Sequence, residues 1–157
     1  MSAVAPFNSP VECGLRTLVL LAAAQPAPCD LQRLVFYDYL LIHSGDVGGG
    51  PASIHPATPL RSGEALVRRH WIEKGLLLML SRELLKRKFS PAGITYQASP
   101  LTGSFLDYME QPYTKQLRER AQWVVPRQNS IRGQNRPGSL PLMLFGERCW
   151  PKKQTVK

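Results

Sequence analysis

Hydrophobic residues recur about every three to four positions in the first half of the chain, which is the spacing of amphipathic helices. The first such segment opens with residues 9–12, Ser-Pro-Val-Glu. This is a capping box, in which the Ser and Glu side chains each accept a hydrogen bond from the other residue's backbone N–H. Pro26 ends the segment, so a first helix is predicted from residue 10 to about Gln25. A second helix is predicted from the N-cap Asp30 to about Gly45, which suits the left-handed position after a helix.

Both predicted helices carry apolar residues on nearly every side. The first has Val19 and Ala23 outside its main apolar stripe, in addition to the leucines given below. Two helices of this kind cannot both be central in so small a domain, so either a large apolar patch is exposed or another subunit covers it. The residues predicted to form this partner interface are Leu20, Leu21, Phe36, Tyr37, Leu40 and Leu41.

A third helical pattern begins near Arg61 and has one apolar face. Two acid–base pairs along it, Glu64 with Arg68 and Glu83 with Arg87, are four residues apart. With the acid on the N-terminal side, each pair is expected to stabilise the helix by about 0.3 kcal/mol. The apolar face, spaced i, i+4, i+7 and i+8, consists of Ile72, Leu76, Met79 and Leu80.

Two short strands are predicted after this helix. Residues 84–89 are cationic, and residues 90–93, Ser-Pro-Ala-Gly, supply Pro and Gly for a chain reversal. Ile94, Tyr96 and Ala98 then alternate with polar residues, and a period of two indicates a strand with one buried face. A long helix followed by a basic hairpin is the outline of a winged helix.

Two further helices close the predicted domain. One covers residues 102–109 with Phe105 and Tyr108 facing inward, and the other begins at Pro112 with a stripe of Tyr113, Leu117, Ala121 and Val124. The resulting fold class is mainly α with a small β wing. It is a winged-helix-like domain of about five helices and a two-stranded hairpin in residues 9–125. Residues 1–8 are predicted to be a flexible lead, and residues 126–157, which show neither period, a basic and disordered tail.

The net charge of +9 is concentrated in this tail. Residues 126–157 carry +6 of it, because they hold seven Lys and Arg against one acid, whereas residues 1–125 carry +3. A domain at +3 with interspersed charges is not an obvious polyanion binder. The tail would adhere weakly to any nucleic acid or anionic membrane surface.

The sequence contains no pattern typical of a catalytic or metal site. Cys13, Cys29 and Cys149 form no Cys-x-x-Cys pair and indicate reduced thiols of a cytoplasmic protein. The three histidines lack ligand spacing, and residues 48–50, although all glycine, lack the Gly-Lys-Ser/Thr that follows in a phosphate loop. Asp38 is expected to accept a hydrogen bond from a Tyr hydroxyl or a backbone N–H. We therefore predict no catalytic residue, no metal, no cofactor and no small-molecule substrate.

Residues 15–24 have a second interpretation, as the apolar part of a secretory signal peptide followed by a Gln-Pro-Ala cleavage site. The long segment before them, which contains Glu12, Arg16 and a helix start, argues against it. No run reaches the roughly 18 apolar residues of a membrane span, so no membrane partner is predicted.

Several ordered segments resemble one known family. Residues 31–34 (LQRL), 38–46 (DYLLIHSGD) and 60–69 (LRSGEALVRR) resemble the small middle component of bacterial ABC-three-component systems. The segments 76–82, 93–98 and 118–124 are similar too, so the resemblance covers about residues 9–125. The family pattern has a glycine where this chain has Glu83, and its closing helical region is expected to stop at Val125.

The resemblance implies a function. These systems include Lamassu-type anti-phage defence, in which a Rad50/SMC-like ABC ATPase works with a small accessory subunit and an effector that is often a nuclease. By resemblance, this chain is the non-enzymatic accessory subunit, with the ATPase and the effector as partners. Residues 126–157 lie outside the resemblance and receive no family function. A natural variant or a reading-frame change in the gene would both produce such a tail.

A winged-helix transcription regulator is the alternative function. Such a protein would read bases with Arg, Asn, Gln or Ser on a helix in the major groove. Between Arg61 and Glu83 there is no Asn or Gln, and three glutamates offset the cations. The hairpin cations suit phosphates better than base edges. An assembly subunit with sequence-nonspecific contact to double-stranded DNA is therefore favoured, and the candidate DNA contacts are Arg61, Arg68, Arg69, Lys74, Lys86, Arg87 and Lys88.

Overall fold

A computed structural model of the chain describes residues 8–56 and 64–127. Within them, short 3-10 turns lie at Ser44–Asp46 and Val125–Arg127. The prediction of a mainly helical domain with a small β wing is confirmed. The described helices and strands are α1 (Pro10–Ala24), β1 (Cys29–Asp30), α2 (Leu31–Ile42), α3 (Glu64–Ser81), β2 (Leu85–Ser90), β3 (Gly93–Ala98), α4 (Pro100–Asp107) and α5 (Pro112–Val124). None of these helices is long and apolar enough to cross a membrane.

Helix α1 begins and ends where the sequence predicted. The Ser9 side chain accepts a hydrogen bond from the backbone N–H of Glu12 at 3.2 Å, and the helix stops at Ala24, just before Gln25-Pro26. The reciprocal half of the predicted capping box is not formed. The Glu12 carboxylate instead accepts hydrogen bonds from Arg16 and Tyr113, because a charged guanidinium is a stronger donor than a backbone N–H.

Helices α1 and α2 are both central, so the prediction of an exposed apolar patch on them is wrong. Helix α1 packs against all four other helices and β3, and α2 packs against α3 and α5 as well. The six predicted partner-interface residues lie inside this core. Each of Leu20, Leu21, Phe36, Tyr37, Leu40 and Leu41 is at most 6% exposed, so none has surface to offer a partner.

Helices α1 and α3 come into close contact at two glycines. A Cβ added to Gly75 would lie 2.6 Å from the backbone nitrogen of Gly14, and a Cβ added to Gly14 would lie 2.4 Å from Cε of Met79. The two backbones therefore touch directly, and side chains at these positions would separate the helices.

Helix α2 starts as predicted and ends differently. Its N-cap Asp30 accepts a hydrogen bond from the backbone N–H of Arg33 at 2.7 Å. Gly45 does not take the left-handed conformation, because the chain enters the 3-10 turn Ser44–Asp46 instead.

Helix α3 ends in a left-handed residue that is not glycine. Glu83 has φ of 57°, its N–H donates to the Leu80 carbonyl, and the Leu84 N–H donates to the Met79 carbonyl, both at 3.0 Å. This pair of hydrogen bonds is a Schellman motif, in which the left-handed position usually belongs to glycine. The predicted Glu83–Arg87 helix pair is therefore wrong, because Glu83 lies beyond the helix and Arg87 lies in β2.

The wing is a three-stranded antiparallel sheet in the order β1-β3-β2 rather than a two-stranded hairpin. The added strand β1 pairs Cys29 with Tyr96, and at two residues it is too short to show a period. The predicted buried face of β3 is buried only at its base. Ala98 is buried and Tyr96 half-buried, but Ile94 is exposed because the wing projects from the domain.

Helix α4 starts two residues earlier than predicted and presents a different face. Ser99 and Thr102 form a capping box at its start. Thr102 and Leu106 face the core, whereas Phe105 and Tyr108, predicted to point inward, are exposed. Thr102 faces the core in their place, and its hydroxyl donates a hydrogen bond to the Leu84 carbonyl.

Helix α5 has the predicted stripe. Leu117, Ala121 and Val124 are fully buried, and Tyr113 is half-buried. Pro126 and Arg127 continue it as a 3-10 turn. The rest of the predicted tail and residues 1–7 of the predicted lead 1–8 lie outside the described residues.

Candidate interaction surfaces

Asp38 is fully buried between two arginines. Nε of Arg16 donates to its Oδ1 at 2.6 Å and Nη1 of Arg68 donates to its Oδ2 at 2.6 Å. The prediction that a Tyr hydroxyl or a backbone N–H binds Asp38 is therefore wrong. Arg16, from α1, and Arg68, from α3, are themselves buried, so the three side chains form one ion triad across α1, α2 and α3.

The opposite charges of the triad keep Asp38 ionised and Arg16 protonated. Burial alone would raise the pKa of Asp38, but the guanidinium groups of Arg16 and Arg68 outweigh it and keep that pKa below its usual range. Burial would likewise lower the pKa of Arg16, and the Asp38 carboxylate raises it instead. Arg68, a predicted DNA contact, is only 8% exposed and pairs with Asp38 inside the domain. It is therefore not available to contact DNA.

A second polar cluster extends the triad towards α5. Glu12 Oε1 accepts hydrogen bonds from Nη1 of Arg16 at 2.9 Å and from the Tyr113 hydroxyl at 2.7 Å, and Nε2 of His55 lies 2.8 Å from that hydroxyl. Burial, with Arg16 nearby, lowers the pKa of His55 to about 4, so this histidine is neutral at pH 7. The cluster connects α1, the loop before residue 57 and α5 through the Glu12 Oε1 atom, whereas the buried Glu12 Oε2 accepts no hydrogen bond from the described residues.

The cysteine closest to this network is not activated. Burial raises the pKa of Cys13 to about 11, although Nη2 of Arg16 lies 3.3 Å from its sulfur. The same cause raises the pKa of Cys29 to about 11. Both thiols are protonated at pH 7 and are poor nucleophiles. In residues 8–56 and 64–127 no group of three or more His, Cys, Asp or Glu could hold a metal ion.

The outer face of α3 carries three exposed apolar side chains where a DNA-reading helix would be polar. Leu66 is 76% exposed and Leu77 is 59% exposed, with Val67 also exposed between them. We use "α3 outer face" for these three residues together with His70 and Lys74, which lie on the same side of the helix.

Two further DNA candidates lie on α3, Lys74 on this face and Arg69 beside it. Arg69 is paired with Glu73 at 3.5 Å, and the Lys74 ammonium lies 5.1 Å from the centre of the Trp71 ring. Both cations are therefore partly occupied within the helix. Arg61 lies outside the described residues.

A family model for the Middle Component 2 of ABC-three component (ABC-3C) systems matches residues 6–135, which include every described residue. The chain belongs to this family. No curated protein and no solved structure matches it. The match confirms the predicted middle-component resemblance, and it extends to residue 135, ten residues beyond the limit of about residue 125 that the resemblance gave. The middle component is an accessory subunit of its system.

The wing of this middle component carries its remaining DNA candidates. Lys86, Arg87 and Lys88 of β2 are exposed and make no ion pair with any described residue. Lys86 and Lys88 pair with Gln97 and Thr95 and share one face of the sheet. Arg87 projects from the other face, where its guanidinium lies 4.9 Å from the centre of the Phe89 ring.

A third surface of the middle component combines α4 with a groove. Leu101, Phe105 and Tyr108, spaced i, i+4 and i+7, are exposed along one side of the helix, and Tyr108 is 89% exposed. Beside Leu101 a groove of about 500 Å³ opens at the start of β2. Its lining consists of Leu80, Glu83, Leu85, Lys86, Ser99, Pro100 and Leu101. Sequence periodicity did not reveal this surface, because it assigned Phe105 and Tyr108 to the core.

Proposed function

We propose that this middle component is a non-enzymatic, cytoplasmic accessory subunit. It links a Rad50/SMC-like ABC ATPase to an effector, often a nuclease, in a Lamassu-type anti-phage complex. The family membership supports an accessory role, and the α3 outer face supports linkage. Leu66 and Val67 expose neighbouring apolar side chains and Leu77 exposes a third on the same side of α3, and exposed apolar side chains of this kind are typical of protein interfaces.

The α3 outer face is the observation that carries this proposal. In a winged helix that regulates transcription, the corresponding helix enters the major groove and contacts base edges with Arg, Asn, Gln or Ser. On this helix Arg68 is buried and Arg69 is paired with Glu73, which leaves Lys74 as the cation of the outer face. Apolar side chains cannot read a donor and acceptor pattern, so this face favours a protein partner over a regulator's operator.

Nonspecific contact with double-stranded DNA through the wing is the second candidate. Four cations and one acid lie between Arg82 and Ala98, and the three on β2 are exposed. Such contact would be made to phosphates, so it is expected to tolerate any sequence and to weaken with salt.

The linkage proposal is tested by placing charge on the α3 outer face. The full chain with Val67→Glu and Leu77→Glu is co-expressed with the other two components of its system and purified through a tag on this chain. Because both side chains are exposed, the fold is expected to survive. Burying two carboxylates in an interface should lower the recovery of the partners about tenfold or more.

The matched control is Val11→Glu, which changes an equally exposed apolar residue on α1. It is expected to leave recovery unchanged, since an acid is also favourable in the first turn of a helix. Recovery of both partners at the wild-type level with the folded α3 variant would refute the proposal.

A further inference from the structure

The outer edge of β2 is open. In the described sheet β2 is the last strand, and it pairs with β3 on one side only. All five of its residues from Lys86 to Ser90 are exposed. An open edge presents backbone N–H and C=O groups that can bind an added strand.

An apolar groove lies at the start of this edge. The groove of about 500 Å³ beside Lys86 is lined mainly by apolar residues, among them Leu85, Pro100 and Leu101, and Glu83 and Ser99 also contribute to its wall. Leu101 is about half exposed, so the groove is open to the surface. A strand bound along β2 could therefore place one apolar side chain in the groove, and this side chain would set its position along the edge.

The charges of β2 select the chemistry of such a strand. Lys86 and Lys88 lie on one face of the sheet and Arg87 on the other. Successive side chains of an added strand also alternate between the two faces, so acidic residues at consecutive positions would meet all three cations. Duplex DNA approaching one face would leave the cations of the other face, the backbone edge and the apolar groove unused.

The same charges exclude two other occupants. A second copy of β2 would bring cations against cations, which is unfavourable between neighbouring strands. The chain's own residues 128–157 contain six Lys and Arg and a single acid, so they do not supply an acidic strand.

We propose that the open edge of β2 binds an extended acidic segment of another component of the complex. The segment pairs with β2 as a fourth strand and places an apolar side chain in the groove beside Leu101. This inference rests on the proposed accessory function and adds to it the chemistry of one partner segment.

The test uses the full chain and fluorescence anisotropy. One probe is a labelled synthetic peptide that has three consecutive Glu residues between Thr residues and carries a single Leu near one end. The same peptide with Lys in place of Glu and a short DNA duplex are the other probes. At about 0.1 M salt, where contact charges still attract, we expect the acidic peptide to bind about tenfold or more tightly than the Lys peptide.

Three variants locate the binding. Lys86→Glu with Lys88→Glu should weaken the acidic peptide about tenfold, and Leu101→Ser should weaken it about threefold or more through the groove. Lys115→Glu, an equally exposed lysine on α5, should change nothing. Hydrogen exchange of the β2 amides should slow when the peptide is bound, because a paired backbone N–H is protected.

Four outcomes overturn the inference. They are equal binding of the acidic and Lys peptides, a Leu101→Ser variant that binds the acidic peptide like wild type, unchanged amide exchange in β2, and tight binding of the duplex alone. The last would assign the wing to DNA. These measurements need no partner protein. A negative result would therefore contradict the acidic-segment inference without affecting the co-purification test of the α3 outer face.

Discussion

Replacing Asp38 with Asn should destabilise the domain strongly. The substitution keeps the shape of the side chain but removes the negative charge that faces Nε of Arg16 and Nη1 of Arg68, each at 2.6 Å. Two buried guanidinium groups would then repel each other with no charge between them, although Nη1 of Arg16 would keep its pair with Glu12 at 2.9 Å. Removing one partner from a buried ion pair costs about 3–5 kcal/mol, which is a large part of a typical folding free energy of about 5–15 kcal/mol.

The measurement is urea unfolding followed by far-UV circular dichroism, with Arg118→Ala as the control. Arg118 forms an exposed pair with Asp107 at 3.0 Å, so its loss should cost less than about 1 kcal/mol. We expect the Asp38→Asn midpoint to fall well below that of the control. If the two variants lose the same free energy, the ion triad does not stabilise the fold and the reasoning is refuted.

The pH dependence gives an independent check on the same carboxylate. Because the folded-state pKa of Asp38 lies below its unfolded value of about 3.9, its stabilising contribution is complete above that value. The contribution is lost as the pH falls through the folded pKa. The difference between wild type and Asp38→Asn should therefore be constant near neutral pH and shrink in acid below about pH 4.

Three further predictions concern the backbone and His55. Glu83→Gly should stabilise the domain by up to about 1 kcal/mol, because glycine adopts a φ of 57° without strain, whereas the control Glu73→Gly in mid-helix should destabilise it by about 1 kcal/mol. Gly75→Ala should lower the stability by about 1–3 kcal/mol through its clash with Gly14, and the control Gly103→Ala, with no atom within 4 Å of the new Cβ, should be neutral or stabilising. The pKa of folded His55 is about 4, below the unfolded value of about 6.5, so the unfolded chain binds the proton first. The stability of the wild-type protein should therefore decrease as the pH is lowered from about 6.5 to about 4. His55→Asn should remove that part of the slope. Urea titrations check the first two predictions, and equal stability of a variant and its control would contradict them. Urea titrations over a pH series check the third, and a His55→Asn variant with an unchanged slope of stability against pH would contradict it.

The periodicity of apolar residues correctly predicted the start of those helices that have a long apolar stripe. Helices α1 and α5 begin where Pro10 and Pro112 suggested, and the stripe of α5 is buried as expected. Helix α4 has only eight residues, and its apolar side chains lie on several sides. Its inner face was decided by the hydrogen bond of Thr102 to the Leu84 carbonyl, a tertiary contact that a short pattern does not contain.

The ion triad could have been predicted from the sequence, but it was not. Arg16 and Asp38 are charged residues in the apolar middle of two helices. An isolated buried charge is too costly to remain unpaired, so each such residue predicts the other. The exposed faces were harder to predict, because their identity depends on which helices cover which, and the six interface candidates on α1 and α2 were covered by α3, α5 and the wing.

The ion triad also restricts how the apolar helices can align. Leucines on all sides of α1 and α2 would allow them to slide or rotate against each other with little change in buried area, since one apolar contact resembles another. A guanidinium or a carboxylate allows no such freedom. Sliding α1 past α2 by one helical turn, about 5.4 Å, would separate Arg16 from Asp38 and leave both charges in an apolar interior. A single carboxylate at the centre thus makes one arrangement of these helices the lowest in energy, and the faces that α3 and α4 present to other proteins are fixed along with it.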